Sequence, residues 1–172
     1  MPAQEAWLRG PVPGVSPFLQ PVAHALVQAR DEVGRIVSTL PDDVLWERPS
    51  GVASAGFHLQ HICGVIDRLL TYARGEPLSH EQLLALTLEG HPPAVPTSAR
   101  ALGHAFDACV ESALAQLRAT DDEELTEVRA VGRAQLPSTV SGLLVHAAEH
   151  TTRHVGQLLV TARVVSARHP VG

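Results

Sequence analysis

At 172 residues, with a net charge of −5 and only 3% aromatic residues, the chain has neither the basic stripe nor the stacking platforms that nucleic-acid binding requires. All thirteen basic residues are arginine, which excludes a Schiff-base lysine and a Walker-type phosphate loop. The chain has no run of eighteen apolar residues and no charged-then-apolar leader, so a soluble, cytoplasmic protein with no membrane partner is expected.

The length suits one domain spanning residues 1–172, large enough to bury a core without covalent staples. Apolar residues make up 45% of the chain and are mainly Leu, Val, Ala and Ile, a diet that favours helices packed on helices. Residues 1–15 hold three prolines and two glycines and read as an extended lead-in, which Trp7 and Leu8 could pin to the body or to a partner subunit. Ser16-Pro17 is a helix start, with a capping hydroxyl and proline at the first helical position. Leu19, Val22, Ala23, Leu26, Val33, Ile36, Val37 and Leu40 follow at helical spacing, predicting a helix from Pro17 to about Thr39 that Pro41 and Asp42-Asp43 break. His24 on this helix is expected to be a surface or packed residue. Residues 41–53 read as loop.

Ser54 caps a second helix that runs to Arg74 and stops at Gly75. Ser79-x-x-Gln82 fits a capping box for a short helix from His80 to Glu89, closed by Gly90. After the proline-rich linker through Pro96, Thr97 or Ser98 caps a third long helix, Ala99 to about Ala119. Residues 120–136 read as loop, acidic at first, with a short extended piece near Glu127–Val131. Pro137-Ser138-Thr139 opens the last long helix, and Pro170 ends it. The sum is an all-α four-helix bundle with a short extra helix. Cys63 and Cys109 sit singly on helical patterns; buried structural thiols are the default reading, with a disulfide or metal ligation as the alternative.

The chemistry is concentrated in the last helix, where His146, His150 and His154 recur every four residues. That spacing turns through about 40° per step on an α-helix, so the three rings project from nearly one face. A His pair four apart can grip one metal ion between adjacent turns, which points to His150 with His154. His58 and His61 lie three apart on one side of the second helix and are candidates for a further ligand. Neutral imidazoles add no charge, so a divalent ion held by three of them would keep its Lewis acidity and at least one open position, able to activate water or a small thiol. Glu149 and Gln157 lie within reach as acceptors for ligand N–H groups or stand as solvated or packed residues, and Arg68 is either a contact for an anionic substrate or an ordinary surface arginine. No residue is singled out as catalytic.

Phe57-His58-Leu59-Gln60-His61-Ile62, taken with His150-x3-His154-x-Gly156-Gln157, resembles the DinB-like superfamily. This group of four-helix bundles includes YfiT-type bacillithiol transferases and mycothiol-dependent maleylpyruvate isomerase. The resemblance follows the helix order of about the whole chain. It implies a divalent-metal site made of His61, His150 and His154, with His61 preferred over His58 because of its spacing from Phe57. A one-turn shift to His58 or His146 offers the same geometry. The resemblance further implies a small-molecule substrate, a homodimer, and either thiol S-transfer with a low-molecular-weight thiol cosubstrate or hydrolysis, in a stress or detoxification setting. Zinc, nickel, iron and manganese all suit such a site. The competing reading is a non-catalytic, metal-binding or stress-responsive scaffold.

Overall fold

The computed structural model describes residues 4–168. Five α-helices carry the fold: α1 (Gln20–Thr39), α2 (Ala55–Ala73), α3 (His80–Leu88), α4 (Ala99–Ala119) and α5 (Val140–Arg168). The four long helices form a bundle in which α2 and α5 share the closest packing and α1, α2 and α4 complete the core. Pro170, expected to end the last helix, lies outside the described residues.

The helix starts follow the side-chain chemistry of the sequence. Ser54 accepts from the Phe57 amide at 3.1 Å and Ser98 from the Ala101 amide at 3.0 Å, each satisfying an amide that the helix itself leaves unpaired. Ser79 and Gln82 form the complete capping box that opens α3. At Ser16-Pro17 the expected start is refined: Pro17–Leu19 make a single 3-10 turn, and the α-helix begins at Gln20.

Two segments depart from expectation. Pro137 and Ser138, read as the opening of the last helix, belong instead to a strand, β2 (Leu136–Thr139), which pairs antiparallel with β1 (Val128–Val131) in the register Val128↔Thr139 to Val131↔Leu136. The extended piece near Glu127–Val131 is therefore half of a hairpin. Burial alternates along β1 but not along β2, and Val128 and Leu136 face solvent, so the apolar residues do not follow the period-two pattern that marks a half-buried strand. Thr139 still acts as a cap, accepting from Gly142 at 3.0 Å, and α5 starts one residue later. The second departure is the lead-in. It contains a 3-10 turn at Ala6–Leu8 and is tied to α1 by buried Ala6, whose amide donates to Gln28, by the Arg9–Asp31 ion pair and by Gln20, while Trp7 stays exposed. His24 is a packing residue of this kind, bonded to the Gly10 carbonyl at 2.9 Å.

Leu26 and Val33 of α1, Ile62 and Ile66 of α2, Phe106 and Val110 of α4, and Leu144 and Leu158 of α5 meet in one core. Gly103 allows α1 and α4 to close on each other, since a Cβ there would lie 2.7 Å from Val37. By contrast α3 buries none of its residues. Polar bonds hold it to α2, with the Gln82 amide reaching Asp67 and Thr71 at 2.8 Å each. Among the described residues no helix is long and apolar enough to cross a membrane.

Phe106 is wholly enclosed, and truncation of such an aromatic leaves a void the helices cannot close. Phe106→Ala is expected to lower unfolding stability by about 3–5 kcal/mol, read from the midpoint of a denaturant titration.

Candidate metal centre

The tight seam between α2 and α5 brings four histidines together. His61, His150 and His154 each offer a ring nitrogen within 4.8 Å of the other two. Nε2 of His61 lies 3.0 Å from Nε2 of His150, and the ring centroids of His61 and His150 lie 4.5 and 4.6 Å from that of His154. Phe57, one turn before His61, stacks on its ring at 5.0 Å with the planes 14° apart. The two histidines one turn earlier on each helix occupy different places. His146 is exposed and faces Glu149 at 3.4 Å. His58 is buried, and its Nδ1 lies 3.0 Å from Nδ1 of His154.

The tautomer of His61 is decided by a residue that helical spacing did not point to. Glu89, just past the end of α3, places one carboxylate oxygen 2.6 Å from His61 Nδ1 and the other 2.6 Å from Arg68 Nη1. Burial pushes the Glu89 carboxyl up, but hydrogen bonds from His61 and Arg68 outweigh it and hold the group below the usual carboxylate range. An ionised carboxylate can only accept, so His61 carries a proton on Nδ1 and turns Nε2 towards His150. Arg68, read from the sequence as a contact for an anionic substrate, is instead committed to Glu89.

Several local features put Glu89 there. Gly90 ends α3 at φ +84°, a left-handed conformation that suits glycine, and it packs under Phe57, where a Cβ would sit 3.0 Å from the ring. Gln60 clips the same turn to α2, accepting from the Gly90 amide at 2.8 Å and donating to the His91 carbonyl at 3.3 Å. Gly64 leaves the space that the ion pair fills, since a Cβ there would collide with both Glu89 and Arg68. Glu149 and Gln157, proposed as acceptors behind the ligands, do not play that part. Glu149 pairs on the surface with His146 and Arg153, and Gln157 is exposed.

Burial and neighbouring charge keep three of the four rings neutral. Burial, then the neighbouring His61, pushes His58 down to about 4. Burial together with His61, His150 and His58 does the same to His154, also to about 4. His150 is lowered by burial and by His61. Neutral imidazoles are the form that binds metal.

This arrangement fits a divalent cation. In tetrahedral coordination at 2.0–2.1 Å, ligand nitrogens sit roughly 3.3 Å apart, so the His61–His150 pair needs only a small outward movement. Without a cation, a proton must bridge the two Nε2 atoms, and Nδ1 of His150 is buried with no partner. With His154 coordinating through Nε2, its Nδ1 carries the proton and donates it to His58. His58 would then orient His154 as Glu89 orients His61.

The model of the DinB superfamily matches residues 25–158. The chain belongs to that superfamily. Among solved structures, a conserved protein from Enterococcus faecalis superposes with a TM-score of 0.70 at 17% identity, over 87% of this chain and 97% of the other. A DinB-like protein from Bacillus cereus superposes with a TM-score of 0.61 at 21% identity, over 87% and 91%. Both likenesses concern the fold. No curated protein matches the sequence. DinB membership agrees with the helix order and with a three-histidine group that could bind a metal ion.

Two outcomes follow from the network. Glu89→Gln keeps the shape but removes the charge behind His61, and should weaken divalent-metal binding about 10- to 100-fold, measured by competition with a chromophoric chelator. The lowered imidazoles mean that the unfolded chain binds more protons than the folded one between about 4 and the ordinary 6.5. Stability of the metal-free protein should therefore be full above that window and fall as pH drops through it. Thermal unfolding across pH 4–8 reads this directly, and the dependence should weaken in His58→Phe.

Proposed function

We propose that this DinB superfamily member is a divalent-metal enzyme that activates a small thiol or water at the site formed by His61, His150 and His154. The observation that carries the reading is the convergence of three imidazole rings, each offering a nitrogen within 4.8 Å of the others, with the outer nitrogen of His61 held by Glu89. When bound, the ion supplies Lewis acidity that lowers the pKa of a thiol or a water molecule to near neutrality.

The chain's own residues define what such a site does. His61, His150 and His154 contribute no charge, so the full positive charge remains available to stabilise an anionic nucleophile. Phe57 covers one face of His61 and fixes the ring plane. His58 and Glu89 keep the outer nitrogens of His154 and His61 occupied, so the inner lone pairs stay directed at one point. Among the four histidines, burial opposes protonation most clearly at His58 and His154, which preserves the ligand form at physiological pH.

Transfer of a small thiol to an electrophile is the favoured reaction, supported by the resemblance of the histidine motifs to thiol-using members of the group. Hydrolysis is the same site's use of water. A groove of about 580 Å³ between α1 and α5, lined in part by Arg35 and Arg163, contains none of the four histidines. A substrate would therefore have to approach the cluster by another route. The proposal extends to a cytoplasmic homodimer, for which exposed Trp7 and Phe18 provide apolar surface.

Metal analysis of protein purified without a histidine tag should give about one equivalent of a divalent ion per chain. His61→Ala and His154→Ala should each lose it while keeping the helical signal. Loaded protein should then consume a low-molecular-weight thiol in the presence of a small electrophile, and the two variants should not. Stoichiometric metal without turnover of any thiol or ester would favour the scaffold reading. Absence of metal after reconstitution would remove the enzyme reading altogether.

A further inference from the structure

Cys63 and Cys109 stand alone on their helices, 46 residues apart in the chain. The packing of α2 on α4 brings them side by side. The Cys109 thiol donates to the carbonyl oxygen of Cys63 at 3.4 Å. Both are free and half-buried. They are the only two cysteines of the chain, and a pair placed at random along 172 residues would seldom touch. Filling a helix–helix seam does not itself call for sulfur, since alanine and serine pack similar space.

We propose that Cys63 and Cys109 form a reversible dithiol–disulfide couple that reacts with small hydroperoxides and, when oxidised, staples α2 to α4. The chemistry closes with that oxidant alone. One cysteine, as thiolate, attacks the terminal peroxide oxygen; an S–O bond forms, the O–O bond breaks, and the displaced alkoxide takes a proton and leaves as an alcohol. The second sulfur then attacks the resulting sulfenic sulfur. The S–S bond forms, the S–O bond breaks, and the departing hydroxide leaves as water with the remaining thiol proton. Two thiols lose two electrons, and one hydroperoxide gains them.

Geometry favours closure within one chain. A disulfide joins cysteines whose Cα atoms lie within about 7 Å of each other, and the Cys109 sulfur already rests against the backbone of Cys63. The closed loop would enclose α3 and Glu89. Cys63 also precedes Gly64, the position against which the Glu89–Arg68 pair rests. This inference does not depend on a metal being bound.

The test uses the reduced, tag-free wild-type protein treated with one equivalent of hydrogen peroxide and followed to completion. The expected result is a monomer lighter by about 2 Da, with no thiol titratable in denaturant and one cross-linked peptide pair containing Cys63 and Cys109. Dithiothreitol should reverse all three changes. The melting temperature of the oxidised form should rise by about 5–10 °C. Cys63→Ser and Cys109→Ser should each keep one free thiol and show no such rise. Gains of about 16 or 32 Da on separate cysteines, cross-links between chains, or two thiols that stay reduced would each overturn the proposal.

Discussion

Glu89 is the constraint on which the site depends. Its carboxylate is only 9% exposed and is held ionised between a guanidinium and an imidazole. In that state it can accept hydrogen bonds but not donate them, so it fixes the His61 proton on Nδ1 and leaves Nε2 free. Remove that charge and either tautomer of His61 becomes available, and the inner lone pair is no longer assured. The same logic acts more weakly through His58, whose neutral ring sits against the outer nitrogen of His154. The centre is thus three inward-facing nitrogens, two of which have their outer nitrogens occupied by named residues.

Much of the local fold serves to place this carboxylate. Nothing in α3 is buried, so hydrophobic burial does not hold this helix in place. It is held by a capping box, by Gln82 reaching across to Asp67 and Thr71, and by the turn at Gly90 that Gln60 clips to α2. Polar fastening of this kind fixes direction, because hydrogen bonds weaken steeply off-axis whereas apolar contact does not. The apolar core has a different task, holding α2 and α5 at the spacing that lets histidines from both meet. Residues such as Ile62 and Leu158, fully buried near the ligands on the same two helices, serve that purpose.

The bundle was largely legible in the sequence because its cues are local. Caps at Ser54, Ser79 and Ser98 and the apolar stripes between them act within one or two turns, and they set the helices to within a residue or two. The His150/His154 spacing is equally local, and it placed both rings on the face that meets α2. Half of the hairpin was legible, as the extended piece that became β1, but β2 was not, because exposed Leu136 and the helix-start pattern of Pro137-Ser138-Thr139 hide the strand. Glu89 was not legible either. Its partner His61 is 28 residues away, joined through a loop whose path depends on Gly90 and Gln60, and no spacing rule links them. The reading of Arg68 failed for the same reason: the sequence shows a charge on a suitable face but not the carboxylate that neutralises it. His58 and His146 could be told apart only by burial, since the helical geometry of the two positions is equivalent.

The most direct test of the account is X-ray absorption at the metal edge of protein loaded with one equivalent of zinc or cobalt. The account predicts three imidazole nitrogens at about 2.0–2.1 Å and at least one exchangeable oxygen, with one imidazole lost in His61→Ala. A spectrum unchanged by that substitution, or one dominated by oxygen ligands, would place the metal elsewhere and contradict the three-histidine centre.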